Sequence, residues 1–157
     1  MDFLFHKLYE NKLHYNVDVK TLSEIRAEIR RGQLTHSELK SLNGNYIHTT
    51  TLSHLSEICL IDDINCKQLH YQHTNKNDIL LARVGRGCIG KVSLVKKGNQ
   101  LISDCVYRIR VPQRYLRQVW NSLCSEEGQL WLKSNSRGVC ARLISKSDLQ
   151  NFLVKIK

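Results

Sequence analysis

Residues 78–95 read DILLARVGRGCIGKVSLV, and the fold turns on how this stretch is parsed. Gly85, Gly87 and Gly90 spell G-x-G-x-x-G, and Val92 extends it to G-x-G-x-x-G-x-V, so the pattern fits both a dinucleotide fingerprint and a kinase phosphate loop. A dinucleotide site needs a strand before the glycines and a helix after them, whose N-terminus takes the pyrophosphate. DILLARV supplies the strand, but KVSLV is β-branched and alternating and ends at Lys97-Gly98-Asn99, a turn sequence. Asp104, 19 residues beyond Gly85, has the spacing of a ribose ligand without the strand–helix–strand frame that would give it meaning. The kinase reading lacks H-R-D and D-F-G downstream, and no G-K-[ST] marks a P-loop. What remains is a strand–loop–strand in which glycine permits positive φ and close backbone approach. Arg83, Arg86 and Lys91 then surround an exposed loop able to meet phosphate.

The bulk composition bounds the rest. A chain of 157 residues with 41% hydrophobic residues suits one globular domain, and its mean hydropathy is −0.36. No apolar run reaches the roughly 18 residues of a membrane span. The opening stretch carries Asp2 and Glu10 and no small-residue cleavage site, so a cytoplasmic protein is expected. Cys59, Cys66, Cys88, Cys105, Cys124 and Cys140 lack the tight pairing of a zinc site, and His70 and His73 stand alone as H-x-x-H. Buried, reduced cysteines are expected, with no metal and no cofactor.

The net charge of +10 is unevenly spread. Residues 1–75 hold 8 Lys/Arg and 9 Asp/Glu, residues 76–120 hold 10 and 2, and residues 121–157 hold 6 and 3. An excess segregated in one block points to a polyanion, most often nucleic acid. The cations between Lys76 and Arg117 are therefore expected to converge on one surface, with phosphate contacts from Arg83, Arg86, Lys91, Lys96, Lys97, Arg108 and Arg110. A loop KSNSRG offers Ser134, Asn135 and Arg137 for base edges.

Local patterns fill in the remaining elements. Thr21 and Glu24 form a capping box, Leu22, Ile25 and Ile29 a stripe, and Gly32 a C-terminal cap, predicting a helix over 21–32. Thr35 and Glu38 open a second, short helix that closes at Asn43-Gly44. VYRIRV alternates Tyr107, Ile109 and Val111 against Arg108 and Arg110. After Pro112, the sole proline, one helix is predicted through Gly128, with Tyr115, Leu116, Val119, Trp120 and Leu123 as its core stripe. A helical stretch through Trp131, a strand VCARLI over 139–144 and a terminal helix from Ser147 complete the chain. The fold class expected is α+β: a mixed twisted β-sheet with a glycine-rich strand–loop–strand and flanking short helices.

NDILLARVGRGCIGKVSLV (77–95) resembles the central segment of target recognition domains in the specificity subunits of type I restriction–modification systems, a domain type shared with some adenine-specific DNA methyltransferases. VDVKTLSEIRAEIRRGQ (17–33), NGNYIHTTTL (43–52), LISDCVYRIRVP (101–112) and the stretch from Arg114 to Val154 are similar to its other pieces, in the same order. The resemblance covers about residues 15–157, leaving 1–14 as an N-terminal extension. It implies a non-catalytic module that reads one half of a split double-stranded DNA target. A partner methyltransferase would bind S-adenosylmethionine and flip out the adenine, alongside restriction subunits, and a homodimer is admissible. The chain has no N/D-P-P-Y/F tetrapeptide and no convincing paired Asp…Glu-x-Lys nuclease triad. A full specificity subunit carries two such domains joined by long helices and a proline-rich ending. This sequence shows one domain and neither feature, as expected of a half-subunit, an excised domain or a stand-alone relative. The competing reading is a small nucleotide- or metal-dependent enzyme, a nuclease or transferase using the glycine loop. An RNA-binding domain is less favoured, since the aromatic residues do not cluster as a stacking platform.

Overall fold

The structure, a computed structural model, describes residues 18–156, so the expected 1–14 extension lies outside the described residues. Its centre is a five-stranded mixed sheet in the order β2 (Glu28–Arg31), β8 (Val106–Arg110), β5 (Ile79–Ala82), β6 (Val92–Lys97), β4 (Ser56–Cys59). The pairings are antiparallel except β4 with β6, which run parallel. β5 is buried along its whole length because both sheet faces are covered. Alternation divides its residues: Ile79 and Leu81 enter the larger core cluster, Leu80 and Ala82 the smaller one.

Over the larger face lie α2 (Leu116–Cys124), α3 (Glu126–Ser134) and α4 (Lys146–Leu149), contributing Val119, Leu123, Trp131, Leu132 and Leu149. Trp131 meets Phe152 edge-on with ring centroids 5.1 Å apart, a favoured aromatic geometry. The opposite face carries Ile47 of β3 (Tyr46–Ile47) and Ile102 of β7 (Leu101–Ile102), a parallel pair, together with Leu52 and Val95. A third, antiparallel pair joins β1 (Val19–Thr21) to β9 (Leu153–Lys155), tying the two ends of the described chain together. The remaining helix, α1 (His36–Ser41), starts on the Thr35–Glu38 capping box read from sequence.

Several local expectations are corrected. The helix over 21–32 does not form: Thr21 ends β1 and residues 22–26 make a hydrogen-bonded turn. Its capping box does form, with Thr21 N–H donating to Glu24 Oε2 at 2.6 Å and Glu24 N–H to Thr21 Oγ1 at 3.1 Å. Arg26 then turns left-handed at φ 60°, and the chain leaves as β2. Pairing with β8 wins because it sets Ile29 opposite Ile109 and Glu28 among arginines. Gly32 is not a helix cap: a Cβ there would run into the carbonyls of Ile102 and Ser103, so glycine is needed for close approach.

The single helix expected over 112–128 is a 3₁₀ turn (Gln113–Tyr115), α2, a corner at Ser125, and α3. Ser125 Oγ accepts from Gly128 N–H at 3.0 Å and donates to the Ser122 carbonyl at 2.7 Å, capping α3 while ending α2. Residues 139–144 form a loop rather than a strand. The last helix begins at Lys146 on a Ser145 cap, not at Ser147, and β9 comes after it. The cysteines are free, yet none is fully buried: Cys59, Cys66 and Cys140 are exposed and the other three partly so. Among the described residues no helix is long and apolar enough to cross a membrane.

Two glycines separate space from conformation. A Cβ on Gly128 would collide with the Ser122 carbonyl, whereas one on Gly87 meets nothing within 4 Å although its φ is +69°. Gly128→Ala should lower unfolding free energy by about 2–3 kcal/mol through overpacking. Gly87→Ala should cost about 1 kcal/mol of backbone strain. Urea titration of both variants measures the difference.

Candidate functional site

β5 delivers the chain to the glycine loop at one end of the sheet, and β6 carries it away. Gly85, Gly87 and Gly90 all take positive φ, at 136°, 69° and 95°. Because the next element is a strand, no helix N-terminus stands behind the loop to hold a pyrophosphate. The loop is packed instead against α3: a Cβ on Gly90 would lie 2.6 Å from Gln129 Oε1 and 3.7 Å from Lys133 Cε.

A second loop is laced onto the first. Gly85 N–H donates to the Arg142 carbonyl at 3.1 Å and Ile144 N–H to the Arg83 carbonyl at 2.9 Å. Val84 bridges Leu143, which also bridges Arg137, so residues 137–143 close on themselves. The two loops and α3 enclose a cleft of about 650 Å³ lined by His54, Gly85, Gly87, Ile89, Lys91, Lys133 and Arg142. Arg142 Nη1 donates to the Lys133 carbonyl at 3.2 Å and Ser136 Oγ to the same carbonyl at 2.7 Å. These bonds satisfy the end of α3, where a bare helix C-terminus would repel an anion.

The expected site residues divide into groups. Arg83, Arg86 and Lys91 lie with Ser134, Asn135 and Arg137 at the glycine-loop end of the sheet. Arg86, Ser134 and Arg137 are exposed, and Arg137 approaches Asp148 at 3.8 Å. Lys91 Nζ donates to the Thr49 carbonyl at 3.1 Å and Arg83 Nε to the Asp104 carbonyl at 3.0 Å. Arg83 also stands 6.0 Å from the Tyr107 ring centroid. Asn135 Nδ2 donates to the Trp131 carbonyl at 2.9 Å, an engagement that caps α3.

Lys96 and Lys97 stand at the far end of β6, about 16 Å along the strand from the loop at roughly 3.3 Å per residue. Lys96 faces Glu57 at 3.9 Å. Arg108 is buried and donates to Glu28 Oε1 at 2.7 Å. Arg110 grips Asp78, itself fully buried, at 2.7 and 2.9 Å. Burial alone would raise the Glu28 carboxyl, but Arg108, Arg30 and Arg110 outweigh it and hold it below the ordinary range. The hydrogen bonds that Arg110 donates to Asp78 raise its pKa above the ordinary value.

The expected convergence of all cations from Lys76 to Arg117 is thus corrected. That block divides between two ends of the sheet, and two of its arginines are taken up by ion pairs with Glu28 and the buried Asp78. Sequence reading missed Lys133 and Arg142, which enter through α3 and the 137–143 loop, and Arg31, which ends β2 opposite Tyr107. No local motif marks them; only the tertiary pairing brings them in. Asp104 and Asp148 are interleaved with these cations. Among the described residues no group of three or more His, Cys, Asp and Glu could hold a metal ion.

No family model matches the sequence, and no curated protein does. Among solved structures, the fold matches the S subunit of a type I restriction–modification system from M. genitalium at a TM-score of 0.58 and 19% identity, over 91% of this chain and 35% of that one. It matches the HsdS subunit from Thermoanaerobacter tengcongensis at 0.56 and 14% identity, over 89% and 33%. A chain from a structure concerning complex assembly and conformational transition of the type I R-M system matches at 0.52 and 14% identity, over 88% and 33%. The chain spans about a third of the length of each, and the likeness is one of fold.

Beside the cleft, His48 Nδ1 lies 2.8 Å from Ser103 Oγ, and its ring sits 4.3 Å from that of His36. Burial and then His36 push the His48 pKa below its ordinary value. The unfolded chain therefore takes up this proton first as pH falls. The contribution to stability is present above the ordinary histidine pKa and is lost as pH drops through it toward the folded value. In NMR titration His48 should ionise below a model histidine. His36→Ala should move it partway back, because burial, the larger cause, remains.

Proposed function

We propose that this domain is a non-catalytic, sequence-reading module for double-stranded DNA, acting as a specificity component of a type I restriction–modification system and reading one half of a bipartite target. The observation that carries this reading is the lacing of the glycine loop to the 137–143 loop, on a fold shared over most of the chain with specificity subunits. It gathers Arg83, Arg86, Lys91, Lys133, Arg137 and Arg142 from two separate stretches onto one end of the sheet. Exposed cations there would meet phosphate and fix register, while side chains of the 134–142 segment reach base edges. Methylation and cleavage would belong to partner methyltransferase and restriction subunits, in the cytoplasm with the DNA. A homodimer would supply the second half-target.

Arg108 and Arg110, tied to Glu28 and Asp78, serve the fold in this reading. Lys96 and Lys97 become a control. Phosphate neutralisation gives a slope of log K against log salt of about −0.9 per contact. Arg86→Ala with Lys133→Ala should flatten that slope by about two contacts, whereas Lys96→Ala with Lys97→Ala should leave it unchanged. Equal flattening by both pairs would place the footprint elsewhere. Arg137→Ala should relax specificity at one base pair, by about 1–3 kcal/mol, as read by selection from a random duplex pool. ATP, NAD and divalent metals should leave Tm unchanged, and strong stabilisation by any of them would favour the enzyme reading instead.

A further inference from the structure

The 137–143 loop has an unusual tip. Its neck is an antiparallel bridge in which Arg137 N–H donates to the Leu143 carbonyl and Leu143 N–H to the Arg137 carbonyl, each at 2.8 Å. Between these residues run Gly138, Val139, Cys140, Ala141 and Arg142, all exposed. Val139 is 102% exposed, so it touches nothing in the chain. Gly138 turns the backbone at φ +121°, and a Cβ there would strike the Ala141 carbonyl. The root is fixed on two sides, by the Val84–Leu143 bridge to the glycine loop and by Arg142 on the end of α3.

A single exposed valine is ordinary on a protein surface. Here, however, three successive non-polar residues (Val139, Cys140, Ala141) crown a short loop held rigid at its base, between two arginines, beside the cationic cleft. Holding such a tip in water loses apolar burial and gains the fold nothing. Its chemistry fits a partner that is polyanionic at the edges and apolar at one point. The two neck strands lie about 5 Å apart, which fits easily within a major groove roughly 12 Å wide. Among base edges in that groove, the 5-methyl of thymine is the apolar feature.

Resting on the DNA-reading function above, we propose that Val139 is a specificity-determining residue that contacts a thymine methyl in the major groove, with Arg137 and Arg142 flanking it toward base edges and phosphates. The loop therefore demands a T·A pair at one fixed position of the target.

The test crosses protein and DNA changes. The full chain and Val139→Ala are each measured against the selected duplex and against versions with single thymines replaced by uracil, which removes only the methyl. One uracil position should weaken wild-type binding about fourfold, the value of one buried methyl-sized group. Val139→Ala should weaken binding by a similar factor and make that position indifferent to uracil, with Tm unchanged because the side chain makes no contact in the chain. Three results overturn the proposal while leaving DNA binding intact: a selected motif without a T·A pair, no uracil-sensitive position, or the same uracil effect in Val139→Ala. Loss of affinity in Val139→Ala without any uracil effect, accompanied by bending of the duplex, would make the tip a wedge between base pairs instead. Failure to bind any duplex sequence would overturn the underlying function as well.

Discussion

Two backbone hydrogen bonds, from Gly85 to Arg142 and from Ile144 to Arg83, hold together loops that lie far apart along the chain. Everything proposed for the glycine-loop end depends on them. Loops generally pay for mobility with lost binding free energy, since ordering on contact consumes part of what the contact yields. Here the ordering is done during folding. The glycine loop turns through three positive-φ glycines, and the last of them, Gly90, lies close against Gln129 and Lys133 of α3. The Tyr107 hydroxyl adds a further tie, donating to the Ile144 carbonyl at 3.1 Å from inside the core. A single aromatic residue of β8 thus links the sheet to the loop that carries the exposed tip.

Charge shows why a net count is a poor map of an interface. Residues 76–120 hold most of the positive excess, yet Arg108 is buried and Arg110 grips a fully buried carboxylate. A buried guanidinium must be paired, because desolvation costs several kcal/mol per ion. Arg108 donates to Glu28, while its Nε finds no partner among the described residues. Its burial, followed by repulsion from Arg110, lowers its pKa against the opposing pull of Asp78 and Glu28. These arginines and carboxylates order the strands β2, β8 and β5, and their charge is neutralised within the fold. Cations from outside the basic block, Lys133 and Arg142, join Lys91 at the cleft.

Short-range patterns were legible where local and tertiary preferences agree. The strands around the glycines, the alternation of β8 and the capped α1 all arise from their own residues. The 21–32 segment was misleading because its capping box is real but local. A hydrogen-bonded turn satisfies the box, and the path of the chain beyond it is decided by Ile29 meeting Ile109 across a strand pair that no window of sequence contains. β9 was illegible for the same reason, since three residues become a strand only by pairing with β1 at the other end of the chain. The α2–α3 corner was written in Ser125 and Gly128, but Gly128 reads equally well as a stop. Only the approach of the Ser122 carbonyl shows that it marks a crossing.

The candidate site was half legible for a related physical reason. Arg86 and Lys91 belong to a motif whose glycines announce an exposed turn, so their placement is set by neighbours in sequence. Lys133 ends a helix and Arg142 sits in a stretch that reads as a strand; neither position carries a local mark of function. They are recruited by a chain of satisfied polar groups: the Lys133 carbonyl at the end of α3 needs donors, Ser136 and Arg142 both supply one, and in doing so they draw the 137–143 loop toward the glycine loop. The same bonds that finish a helix therefore build the cationic cleft. A cleft made in this way is ordered as part of the fold, by the same bonds that complete the helix end.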